Sequence, residues 1–177
     1  FMALLASPAY AGGALSNVGV VSIDPMTNSR MGRIEMCGFH FSIIGLSPEG
    51  RAFGVQGSAN VSFYEGKIPS VILKLAVMEA LNNTPIRHHL QFGYLRTPGQ
   101  STDGFQSRSG EDGDSLLVIG VPEPSGEDLD MLSLPFDLAT RGGTLGFNID
   151  GGTDFTIAIP SQPASREVVA SYNDCFM

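Results

Sequence analysis

Three histidines, His40, His88 and His89, are the side chains of this sequence whose ordinary titration lies near neutral pH, so hydrolytic or metal chemistry would have to be built around them. Serine hydrolysis needs a nucleophile, a base and an oxyanion hole. No G-x-S-x-G elbow is present: Gly57-Ser58 falls inside a strand pattern, and Gly99-Gln100-Ser101 lacks the closing glycine. A triad would have to be gathered from distant residues. His88 and His89 are adjacent, and adjacent residues of a strand point to opposite faces, so they cannot grip one metal ion together. His40 occupies a polar position of its strand, and only its meeting with one of the pair would make a site. No H-E-x-x-H spacing exists.

Carboxylates crowd one stretch, Glu111, Asp112, Asp114, Glu123, Glu127, Asp128 and Asp130, with no Lys or Arg between them. Asp112-Gly113-Asp114-Ser115 offers oxygens of the kind calcium takes, but the twelve-residue loop pattern is missing and a solvated acidic loop is expected. Asp150 and Asp154 flank a hairpin turn, an ordinary place for Asp. The seven methionines are scattered without a copper-type cluster and read as gap fillers. Arg141-Gly142-Gly143-Thr144-Leu145-Gly146 is a turn feeding a strand, the wrong setting for a phosphate loop. No catalytic residue, cofactor or metal is assigned.

A formal charge of −8 and ten scattered basic residues exclude nucleic acid as the main partner, because such binding rests on clustered cations displacing counterions from phosphates. The two cysteines, Cys37 and Cys175, stand far apart and lack the near neighbours of a zinc site. They are expected to form one disulfide in an oxidising compartment, worth up to about 5 kcal/mol on the chain-entropy account of so long a loop. Residues 1–11 read as the remnant of a signal peptide: an apolar run, Pro8, then small Ala9 and Ala11 before Gly12. No other segment is long and apolar enough to span a membrane. The expected location is the periplasm or the exterior.

Residues 12–177 are expected to form a single β-rich domain. Glycine (22) and proline (11) interrupt the chain too often for long helices. Residues 53–63 alternate apolar and polar with period two. So do Cys37, Phe39, Phe41 and Ile43, and Leu46-Ser47-Pro48-Glu49-Gly50 supplies a turn. A five-residue loop over 46–50 pairs Phe41 with Val55 and Ile43 with Phe53. A second hairpin joins Leu145–Ile149 to Phe155–Ile159. Parity selects a three-residue loop there, with Gly152 in the left-handed region and Phe147 opposite Phe155.

Further strands are predicted at Gly19–Ile23, Val71–Val77, His89–Leu95 and Leu116–Val121. Pro98–Asp114 reads as a long exposed loop. Glu127–Ser133 reads as a short helix capped by Ser125 and stopped by Pro135. After Ser165, a plausible N-cap by residue type, Val168, Val169, Tyr172, Cys175 and Phe176 fall at helical spacing. Cys175 thus lies on an apolar stripe and Cys37 on an apolar strand face, which predicts a C-terminal helix stapled to the sheet. The last strand, the polar link and the Cys-ending helix resemble the tails of small exported bacterial proteins of unassigned role, a likeness that implies no activity.

The fold expected is an antiparallel β-sandwich or partly closed barrel of seven to nine strands with a short C-terminal helix. The function expected is a non-catalytic exported binding module, or an accessory subunit contacting another envelope protein through the 98–114 loop or a sheet edge. An extracytoplasmic hydrolase and a carrier with a ligand inside the barrel are the alternatives.

Overall fold

The computed structural model describes residues 13–63, 69–81, 84–122, 129–161 and 166–174. The expected signal remnant, Ser125, Ser165 and Cys175 lie outside these residues.

One highly curved sheet of ten strands wraps into a nearly closed barrel. In chain order the strands are β1 (Gly13–Arg30), β2 (Arg33–Leu46), β3 (Ala52–Ser62), β4 (Ser70–Leu81), β5 (Thr84–His88), β6 (Leu90–Arg96), β7 (Gln106–Ser109), β8 (Leu116–Gly120), β9 (Gly143–Ile149) and β10 (Thr153–Ile159). Their lateral order is β6-β9-β10-β1-β2-β3-β4-β8-β7, and β5 lies beside the far end of β4. Nearly all neighbours are antiparallel. The exception is Gly13–Leu15, which runs parallel to Phe155–Ile157, so the sheet is not purely antiparallel as expected. The barrel turns its last corner at His89, between β5 on β4 and β6 on β9.

Alternation decides what fills the barrel. Odd positions of β2, β3 and β4 point inward: Phe41, Ile43, Phe53, Val55, Leu73, Leu75 and Val77 are all buried. They meet Leu145, Phe147, Phe155 and Ile157 from the opposite wall in one core. Packing is close, as in protein interiors generally: a Cβ added at Gly93 would stand 2.7 Å from Leu75 Cδ1 and 2.9 Å from Leu116 Cδ2.

Both hairpins form, with two corrections. The first pairs Ile43 with Val55 and Phe41 with Gly57, two residues off the expected register. Parity is kept because the loop is still five residues long, but it runs from Ser47 to Arg51. The Ser47 amide donates to Arg51 O, the Gly50 amide donates to Ser47 O, and Gly50 takes φ 79°. The second hairpin has the expected pairs Phe147–Phe155 and Leu145–Ile157. Its left-handed residues, however, are Asp150 (φ 51°) and Gly151 (φ 72°) rather than Gly152.

A 3₁₀ turn, Leu129–Ser133, leads directly into α1 (Leu134–Arg141). Pro135 therefore does not stop a helix but opens one, because in the first turn its missing N–H is not needed. Leu134 and Leu138 enter the barrel core. The C-terminal helix α2 (Arg166–Asn173) brings Tyr172 onto Phe39, the rings 5.7 Å apart and nearly parallel, and onto Phe136 at 5.3 Å. The Tyr172 hydroxyl donates to Leu132 O at 2.6 Å. Burial, aided by the nearby Asp137 carboxylate, pushes that phenol above its ordinary range. The predicted docking of a terminal helix on the sheet is thus present.

Candidate functional site

The expected long loop is two tight turns around a strand. After β6, Thr97 Oγ1 bonds the Gln100 carbonyl, Thr102 Oγ1 accepts from the Leu95 amide, and Arg96 grips Asp103 at 2.8 and 3.2 Å. Bonds from Arg96 and Ser101 hold the Asp103 carboxyl below its usual range. β7 then pairs with β8, and the turn between them is closed by Asp112, which accepts from the Ser115 amide and hydroxyl at 2.9 and 2.6 Å. Those two bonds, with lesser help from Lys74, hold Asp112 far below the carboxylate range.

This second turn folds over the outside of the barrel. Asp112 meets Lys74 at 3.3 Å, Asp114 meets Arg87 at 3.4 Å, and His89 Nδ1 lies 3.3 Å from Gly113 O. The acidic stretch is therefore tied to the sheet at these points, not freely solvated. Glu123, Glu127 and Asp128 lie outside the described residues.

Beneath the turn is a hollow of about 460 Å³, within the size range of small-ligand sites. Its floor follows from register. Asp24 pairs with His40, His40 with Ser58, and Ser58 with Lys74, making one polar row across β1 to β4. Ser22, Ser42, Gln56 and Ala76 make the next row. All are even positions, opposite the core, and the row spans three strand spacings, about 14 Å. Among the described residues His40 and Asp24 form no hydrogen bond or ion pair. Ser58 is 5% exposed and its Oγ accepts from Asn60 Nδ2 at 2.8 Å.

A second polar cluster lies at the closing corner of the barrel. His88 is buried, with Nδ1 2.8 Å from Asp150 Oδ2 and Nε2 3.1 Å from Glu79 Oε2. Glu79 Oε1 accepts from Arg51 Nη1 at 3.2 Å, and the Arg51 guanidinium lies over Phe53. Asp150 Oδ1 also accepts from the His89 amide. Both nitrogens of His88 are thereby occupied by carboxylate oxygens. The two carboxylates sit on opposite edges of the ring and do not converge.

The histidines are therefore in three settings: His40 on the floor of the hollow, His88 buried in the corner, and His89 exposed on the turn. Among the described residues no three His, Cys, Asp or Glu side chains are grouped to hold a metal ion. The sequence alone does not assemble this corner, since Asp150 reads there as turn chemistry. Its signal was parity: Glu79 continues the inward series Val71, Leu73, Leu75, Val77, and a carboxylate on a buried face must be paired. A second hollow, of about 670 Å³, near Ser101, Phe105, Gln106 and Val121 adjoins the edge strand β7. Cys37 is 1% exposed on the inner face of β2, two residues from Phe39.

Comparison with family models, curated proteins and solved structures finds no match to this chain.

Proposed function

We propose that this chain is an exported binding module, or an accessory subunit of an envelope assembly, that works without catalysis through the hollow beneath the 110–115 turn. The observation that carries this reading is how the histidines are held. His88 spends both nitrogens on carboxylates, His89 meets a main-chain oxygen, and among the described residues His40 makes no hydrogen bond to a nucleophile or to its neighbour Asp24. Base catalysis needs such a partner within hydrogen-bond reach. The hollow, by contrast, presents ordered polar side chains on a rigid sheet. A carrier role inside the barrel has less support, since side chains occupy the interior.

Export draws its support from how helix docking bears on the cysteines: Tyr172 of α2 stacks on Phe39, two residues from Cys37, and Cys175 follows Tyr172 by three residues in the sequence. We therefore extend the proposal to a Cys37–Cys175 disulfide. Non-reducing intact mass with thiol labelling tests it, and two labelled thiols in native protein would remove the support for export. Mild purification from the source tests the binding role. Co-migration with an envelope component is expected, and a monomer that binds nothing would refute it.

The hydrolase reading keeps one observation in its favour, that His40 shares the hollow with Asp24, Ser22 and Ser42. Turnover of an ester or peptide panel that disappears in His40→Ala would establish it over the binding reading.

A further inference from the structure

We propose that the hollow takes a neutral, hydroxyl-rich ligand, a short oligosaccharide; this rests on the hollow being the working site. Its charges are the first argument. Lys74 and Arg87 stand against Asp24, Asp112 and Asp114, and each cation is already paired with a carboxylate of the turn. Among the described lining residues no Lys or Arg is left uncommitted for a phosphate or a carboxylate. Asp24 remains as an acceptor without a described partner, and a carboxylate accepts readily from hydroxyls.

The second argument is the buried hydroxyl at the centre of the floor. Ser58 receives a bond from Asn60, and its own proton finds no acceptor among the described residues. Its hydroxyl, already an acceptor for Asn60 and lining an open hollow, keeps the capacity to donate to a ligand. Asp24 accepts at one end of the row, Ser58 donates in the middle, and His40 between them can do either. Hydroxyl groups, which both donate and accept, satisfy such a mixed row.

The third argument is the floor itself. It is the face of a paired sheet, so its main-chain donors and acceptors are consumed by β1 to β4 pairing with one another. A peptide strand gains its affinity from main-chain bonds at a sheet edge, which this face does not offer. Recognition here is by side chains alone, with Ala76 and Met78 supplying apolar contact. That suits a ring whose polar groups radiate outward.

The test uses the whole chain, isotopically labelled, titrated with neutral trisaccharides of glucose, mannose and N-acetylglucosamine, a trigalacturonate and trilysine. A neutral trisaccharide is expected to shift the amides of Ser22, His40, Ser58 and Lys74 saturably. Asp24→Asn and Ser58→Ala should each weaken it, the former by about tenfold, the loss of a charge-assisted bond. Spectra of both variants, otherwise unchanged, show that they fold. Saturation by trigalacturonate or trilysine alone overturns the ligand class while leaving the hollow as a site. Silence of these amides toward every probe overturns the hollow as well.

Discussion

Replacing Glu79 by Gln removes the charge that Arg51 and His88 share. The carboxylate is 4% exposed, and its two oxygens lie 3.2 Å from Arg51 Nη1 and 3.1 Å from His88 Nε2. Breaking one partner of a buried ion pair costs about 3–5 kcal/mol, because the remaining charge stays buried. The lower end applies here: the Arg51 side chain keeps 18% of its exposure, and Asp150 still holds the other edge of His88. For a chain of this size each kcal/mol moves Tm by about 2–4 °C, so the variant should melt about 6–12 °C lower. Arg87→Gln is the control. Its pair with Asp114 is exposed at both ends, 63% and 48%, and such pairs contribute about 0–1 kcal/mol. Calorimetry on both variants gives the comparison. A Glu79→Gln protein that melts with the wild type, or no lower than Arg87→Gln, would mean that the corner does not hold the barrel closed.

Gly93→Val places methyl groups where Leu75 and Leu116 already stand, and it should cost about 1–3 kcal/mol in urea unfolding; a neutral result would reveal free space in the barrel. Tyr172→Phe keeps the ring stack and loses the bond to Leu132 O, costing about 1 kcal/mol, whereas Tyr172→Ala should also expose the α2 amides to hydrogen exchange; equal behaviour of the two variants would contradict the stacking role. Asp112 has a folded-state pKa below its unfolded value, so its contribution is complete above the ordinary carboxylate range and fades only as pH falls through the depressed value. The Ser115 amide should accordingly stay protected through mild acid, and early loss of protection would show that the turn is held by something else.

Much of the fold was legible because one face of each strand is dry. Alternation placed Phe41, Val55, Phe147 and Phe155 correctly and fixed the parity of both hairpins. What parity cannot fix is a slip of two residues, and β2–β3 slipped by two when Leu46 joined the strand and Arg51 joined the loop. Pro135 is ambiguous in sequence because a proline that ends one helix and a proline that begins the next look alike without the downstream turn. The hollow was legible only in pieces. His40 and Ser58 each fall on polar positions of their strands, but their alignment with each other and with Lys74 depends on the register that sequence could not set. The corner is signalled by Glu79 on an apolar stripe, yet Arg51 and Asp150, which complete it around His88, arrive from turns far away in the chain.

The lateral order of strands has a consequence for synthesis. The hairpin of β9 and β10 is the last of the described strands to emerge, yet it sits between β1, the first of them, and β6. Until it arrives, two strand margins stand open and the wall has a gap. Closure is thus withheld until residues 143–159 have been made, and a chain interrupted before them would present unpaired margins prone to intermolecular pairing.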